Sequence, residues 1–113
     1  MDDTKYNHGI EILIAAFYEA FDNRGGRTVQ VDKLRDMFLP EAIVTRSTGI
    51  EVDTMTVDSF ITPRMRMLSD GTLTDFHEWE SGARTFLLRD IACCFSTYEK
   101  CGFHKVTPYD GRN

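Results

Sequence analysis

Near the start of the chain, apolar side chains recur with helical spacing. Ile10, Leu13, Ile14, Phe17 and Phe21 fall at i, i+3, i+4, i+7 and i+11, whereas Glu11, Glu19 and Asn23 fall away from that line. The spacing predicts an amphipathic helix from about Tyr6 to Asp22. Asp22-Asn23-Arg24-Gly25-Gly26 then supplies residues that end helices and tolerate positive φ, so a flexible connection is expected there. A second, short helix is expected from about Val31 to Phe38, with Val31, Leu34, Met37 and Phe38 as its apolar side and Pro40 preventing its continuation.

The period then changes. Ala42-Ile-Val-Thr and Gly49-Ile-Glu-Val-Asp read as two short strands joined through Ser47-Thr48-Gly49. Thr56 is a good N-cap for a third helix with Phe60, Ile61, Met65 and Leu68 as buried positions, closed by Gly71. Pro63 inside it predicts a kink, or a regular portion that begins only near Pro63. From Thr72 to Lys100 the residues suit two long strands, with Leu88-Arg89-Asp90-Ile91 as a tight turn between them. Strict alternation puts His77, Trp79, Ser81, Ala83, Thr85 and Leu87 on one face, with Phe76, Glu78, Glu80, Arg84, Phe86 and Leu88 on the other. Gly82 marks a bulge candidate that would shift this alternation. After Glu99 turn formers predominate, and an irregular tail is expected.

Helices followed by paired strands indicate an α+β domain, and 113 residues fit one domain with one hydrophobic core. A hydrophobic content of 42% with 27% charged residues excludes a disordered or coiled-coil chain. The net charge of −5, without a Lys/Arg stripe, argues against nucleic acid as a partner. Ile12-Leu-Ile-Ala-Ala-Phe is too short to cross a bilayer, so no membrane is expected, and an acidic start without a signal-type core points to the cytoplasm. Three cysteines, Cys93, Cys94 and Cys101, make no disulfide framework; free and mostly buried thiols are expected. Cys93 and Cys94 point to opposite faces of a strand, and Cys101 with His104 makes only half a zinc site, so neither a metal nor a cofactor is expected.

The long first helix, a short helix ending in Met37-Phe-Leu-Pro-Glu-Ala-Ile-Val, a helix of the form Phe60-Ile-Thr-Pro-Arg and a hairpin containing Ile91-Ala and Ser96-Thr-Tyr-Glu together resemble the nuclear-transport-factor-2-like superfamily. More narrowly, the chain resembles its bacterial SnoaL-like group, which includes polyketide cyclases and relatives of ketosteroid isomerase. The resemblance spans nearly the whole chain and rests on packing motifs. It implies a cone: a curved antiparallel sheet wrapped around the long N-terminal helix, with two further helices and a pocket at the open end. It also implies a homodimer through the outer sheet face. Family members carry a further pair of strands after the hairpin, which this sequence ends before, so the expectation is that either the sequence is incomplete or the domain is completed in another way, such as by a partner chain.

The function expected on these grounds is binding of a small apolar or ring-containing molecule. Phe17, Tyr18, Phe21, Phe38, His77, Trp79 and Tyr98 are the expected lining. The competing enzyme reading, a cyclase, isomerase or dehydratase, uses His77 as base and a tyrosine such as Tyr18 as electrophile, and requires both to face one cavity. Arg46 aligns with the catalytic aspartate of ketosteroid isomerases, and a guanidinium does not abstract protons at neutral pH. A third reading is an interaction or assembly module without a ligand. The plainer reading of His77-Glu-Trp-Glu puts Glu78 and Glu80 on the solvent or dimer face, paired with Arg84 or Arg89, and packs Trp79 on the first helix.

Overall fold

The computed structural model describes residues 3–105, with side chains from His8 onward. Helix α1 spans Asp3–Glu19 and is followed by 3₁₀ turns at Arg24–Gly26 and Val31–Met37. Strands β1 (Ile43–Ser47) and β2 (Val52–Thr56) form one antiparallel hairpin. Helix α2 (Val57–Ser69) leads into β3 (Leu73–Leu88) and β4 (Ile91–His104), which form a second antiparallel pair. The protein is therefore α+β, with its strands in two separate two-stranded sheets among the described residues.

Thr56 caps α2 as expected, its hydroxyl accepting from the Ser59 N–H at 3.1 Å. The helix starts at Val57 and runs on through Pro63, so its regular part does not wait for the proline. Pro63 cannot donate to Ser59 O. One residue further, the Phe60 carbonyl accepts from the Arg64 guanidinium at 2.9 Å. The expected second helix is a 3₁₀ segment, which ends where Phe38 turns extended two residues before Pro40.

Leu34, Ile61 and Val31 are fully buried, and Ala20, Phe21, Val29, Leu68 and Phe76 complete the core around them. The expected stripe holds in part: Phe21, just past α1, is buried and Ile10, Ile14 and Phe17 are partly buried, whereas Leu13 is 46% exposed and Tyr18, outside the stripe, is buried. This core sits at one end of the molecule. The radius of gyration is 16.2 Å, against roughly 13 Å for a compact chain of this length. The excess lies in the ribbon, since the 16 residues of β3 at roughly 3.3 Å each nearly match the 57 Å long dimension.

The bulge at Gly82 is present: Glu80 pairs with Tyr98 and Gly82 with Thr97, which leaves Ser81 as the extra residue. A second bulge sets Asp75 and Phe76 against Gly102, with Asp75 in the left-handed region at φ 48°. A Cβ on Gly102 would stand 3.1 Å from the Phe76 Cα, so glycine permits this close approach. Arg89, at φ 55°, makes the tight turn between β3 and β4. Strand β4 continues through Cys101 to His104, where an irregular tail was expected, because Cys101, Phe103 and His104 pair with His77, Thr74 and Leu73. The rest of that expected tail lies outside the described residues.

Candidate functional site

The ribbon register decides which side chains meet. Glu78 pairs with Lys100 and Glu80 with Tyr98, so these four project from one face, together with Ser96. Helix α1 reaches this face through Tyr18. Its hydroxyl shares a hydrogen bond of 2.8 Å with Ser96 Oγ, which in turn donates to Glu80 Oε2. The Tyr98 ring lies 5.7 Å from that of Tyr18. Tyr18 is buried while Tyr98 is half exposed.

Arg64 of α2 lies near this face, within reach of the Glu78 charge. Its guanidinium carbon stands 3.9 Å from the Phe60 ring centre, and partial burial lowers its pKa; the nearby Arg46 charge lowers it further, while Glu78 and Tyr98 oppose that. Burial likewise raises the Glu78 pKa, against smaller opposing effects of Lys100 and Arg64.

The expected lining separates into three groups. Tyr18 and Tyr98 meet on the face just described. Phe21 belongs to the core, and Phe17 and Phe38 pack against that core. His77 and Trp79 alternate onto the opposite face, their rings stacked at 4.7 Å. His77 and Tyr18 are therefore not brought to one cavity, as the histidine-base reading required. The plainer alternative also reverses, because Glu80 faces α1 and Trp79 faces away from it. Beyond the bulge, Ala83, Thr85 and Leu87 join the Glu78 face through their partners Ser96, Cys94 and Ala92.

The far face of the ribbon carries an open run of apolar side chains, with Arg84 and Glu99 among them. Trp79, Phe86, Leu88, Ile91, Phe95 and Phe103 share it and are 40–71% exposed, with Phe86 and Phe95 edge to face at 6.0 Å. Cys93 and Cys101 lie on the same face and are exposed, while Cys94 is partly buried on the other. The thiols are free as expected, but they are not mostly buried, because the ribbon extends past the core. Cys101 and His104, an odd number of strand positions apart, point to opposite faces. Among the described residues no group of three or more metal-ligating side chains occurs.

Sequence reasoning missed the residues at the end of α1. Asn23 is buried and its side chain makes three bonds: Nδ2 to Leu68 O at 2.9 Å, Nδ2 to Leu73 O at 2.7 Å, and Oδ1 from Phe76 N–H at 2.7 Å. Asp22, 4% exposed, accepts from Arg24 and Arg27, and the Arg24 hydrogen bonds hold its pKa down to about 2. The expected flexible connection is a tied junction, and its composition carried no signal separating it from an ordinary helix stop. It borders an open cavity of about 490 Å³ lined by Arg27, Thr28, Ser69, Thr74 and Asp75 among others.

No family model matches the chain, and no curated protein or solved structure matches it. Among the described residues, no helix is long and apolar enough to cross a membrane.

Proposed function

We propose that the chain is a small-molecule-binding domain of the nuclear-transport-factor-2-like superfamily, in the SnoaL-like group. The ligand lies between the Glu78–Tyr98 face of the ribbon, α1 and α2. The observation that carries this reading is the hydrogen-bonded sequence Tyr18, Ser96, Glu80 beneath the Tyr98 ring. It sets polar groups of fixed orientation beside an aromatic wall, a combination suited to a ring-containing ligand that bears one or two oxygens. In the cone this reading implies, the two bulges bend the ribbon around α1. The protein acts in the cytoplasm as a homodimer that covers the apolar far face of the ribbon.

Native mass spectrometry of protein purified without added ligand tests the pocket. A retained small molecule that is lost in Tyr18→Phe and Tyr98→Ala supports it. Protein that carries nothing and gives no shift of the Tyr98 resonances with any aromatic probe overturns it. Light scattering at micromolar concentration tests the dimer, which a monomeric mass would refute.

The assembly reading draws on one observation of its own, the apolar far face carrying Trp79, Phe86, Phe95 and Phe103. It is compatible with ligand binding on the opposite face. An enzyme reading no longer has His77 beside a tyrosine.

A further inference from the structure

Arg64 is held unusually for a half-buried arginine. Its contacts are to its own helix: Nη1 donates to the Phe60 carbonyl and the guanidinium plane lies over the Phe60 ring. Among the described residues no carboxylate stands within ion-pair distance of it, although Asp22, Asp53 and Asp58 all hold arginines. Glu78 lies near enough for its charge to be felt but makes no ion pair with it. A second cation, Arg46 of β1, is also near, held to Asp53 only at 3.5 Å, and Lys100 flanks Glu78 across the ribbon.

A half-buried guanidinium with another cation beside it is costly unless an anion completes it. The carboxylates of this face do not serve: Glu80 is taken by Ser96, and Glu78 stands outside ion-pair distance of Arg64. The remaining N–H groups of Arg64 form a planar donor edge suited to a carboxylate or phosphate.

We propose that Arg64, supported by Arg46, is the anion-recognition residue of this site, and that the ligand is a ring-bearing acid. Its carboxylate or phosphate lies on Arg64, and its far end reaches the Tyr18 and Ser96 hydroxyls. This rests on the binding site proposed above and adds the chemical class of its occupant.

The test titrates the full chain with benzoate, phenyl phosphate and the neutral isostere benzamide, following the Tyr98 ring and Arg64 Nε resonances by NMR. An acid-specific site binds benzoate or phenyl phosphate at least about tenfold more tightly than benzamide, and the preference falls with added salt. Which of the two anions binds better distinguishes a carboxylate ligand from a phosphate one. Arg64→Gln removes the preference. Arg46→Gln, which leaves the packing over Phe60 intact, lowers it by about threefold, and Glu78→Gln raises it by a similar factor. Because Arg64→Gln also disturbs the turn at Pro63, the Arg46 and Glu78 variants keep the test decisive if that variant unfolds. Equal binding of benzoate and benzamide, or a preference untouched by the Arg46 and Glu78 changes, overturns the anion assignment and leaves the pocket standing. Shifts with none of the three probes overturn the pocket itself.

Discussion

Where α1 ends, a polar side chain is buried and three backbone groups depend on it; at the free end of the ribbon, phenylalanines and isoleucine stand in the open. Asn23 bonds Leu68 O, Leu73 O and Phe76 N–H, and so ties α1, the end of α2 and the start of β3 together. Phe86 and Phe95 touch each other and are 54% and 60% exposed. The contrast shows that polarity alone does not locate the interior. A buried amide is stable where each of its groups has a partner, and an exposed apolar face is kept where something else covers it.

The sharpest way to break this contrast is Asn23→Ala. It leaves two carbonyls and one N–H without partners in a buried setting, a loss of about 3 kcal/mol or more, which is a large part of a small domain's total. Urea denaturation measures it, and a change below half that size would show that water replaces the amide.

Gly102→Ala comes next. The added methyl meets Phe76 at backbone as well as side chain, with distances of 2.9 to 3.2 Å. A loss of about 1–3 kcal/mol is expected from overpacking, read from the same urea midpoint. A neutral result would mean that the bulge at Asp75 and Phe76 yields easily.

Asp22 gives a smaller effect with a pH signature. Its pKa, held near 2 by Arg24 and Arg27, lies below the ordinary 3.8. Its contribution is therefore full above about pH 4 and is lost as pH falls toward 2. With both arginines half exposed, screening leaves about 1 kcal/mol. Asp22→Asn is expected to be less stable than the parent at pH 6 and to approach it at pH 2.5. Parallel urea midpoints at the two pH values would contradict this.

At the ribbon's free end the expected order inverts. Phe95→Ser changes the stability of the monomer by less than about 0.5 kcal/mol, since the site is exposed. If the far face is the dimer interface, the same change shifts the mass in solution from dimer to monomer. A large loss of monomer stability would instead show that this end of the ribbon belongs to the core.

Both hairpins, the Thr56 cap and the bulge at Gly82 were legible because each rests on neighbours in sequence. Ile61 and Leu68 were also expected inside and are inside. The Glu78–Tyr98 face was legible only in part. Tyr18 and Tyr98 were singled out, but Arg64 and Ser96 were not, since nothing near them in the chain distinguishes them from solvated residues. His77 and Trp79 drew attention through their chemistry, and the pairing register put them on the other face from Tyr18.

Periodicity, caps and turn chemistry act over a few residues, so order along the chain was enough to draw the helices, the strands and their α+β class. The contact of Tyr18 with Tyr98 and the amide of Asn23 join positions far apart in the chain. Packing alone selects such pairs, because a shift of one residue at Ser81 decides which side chains of the ribbon turn toward α1 and which turn away.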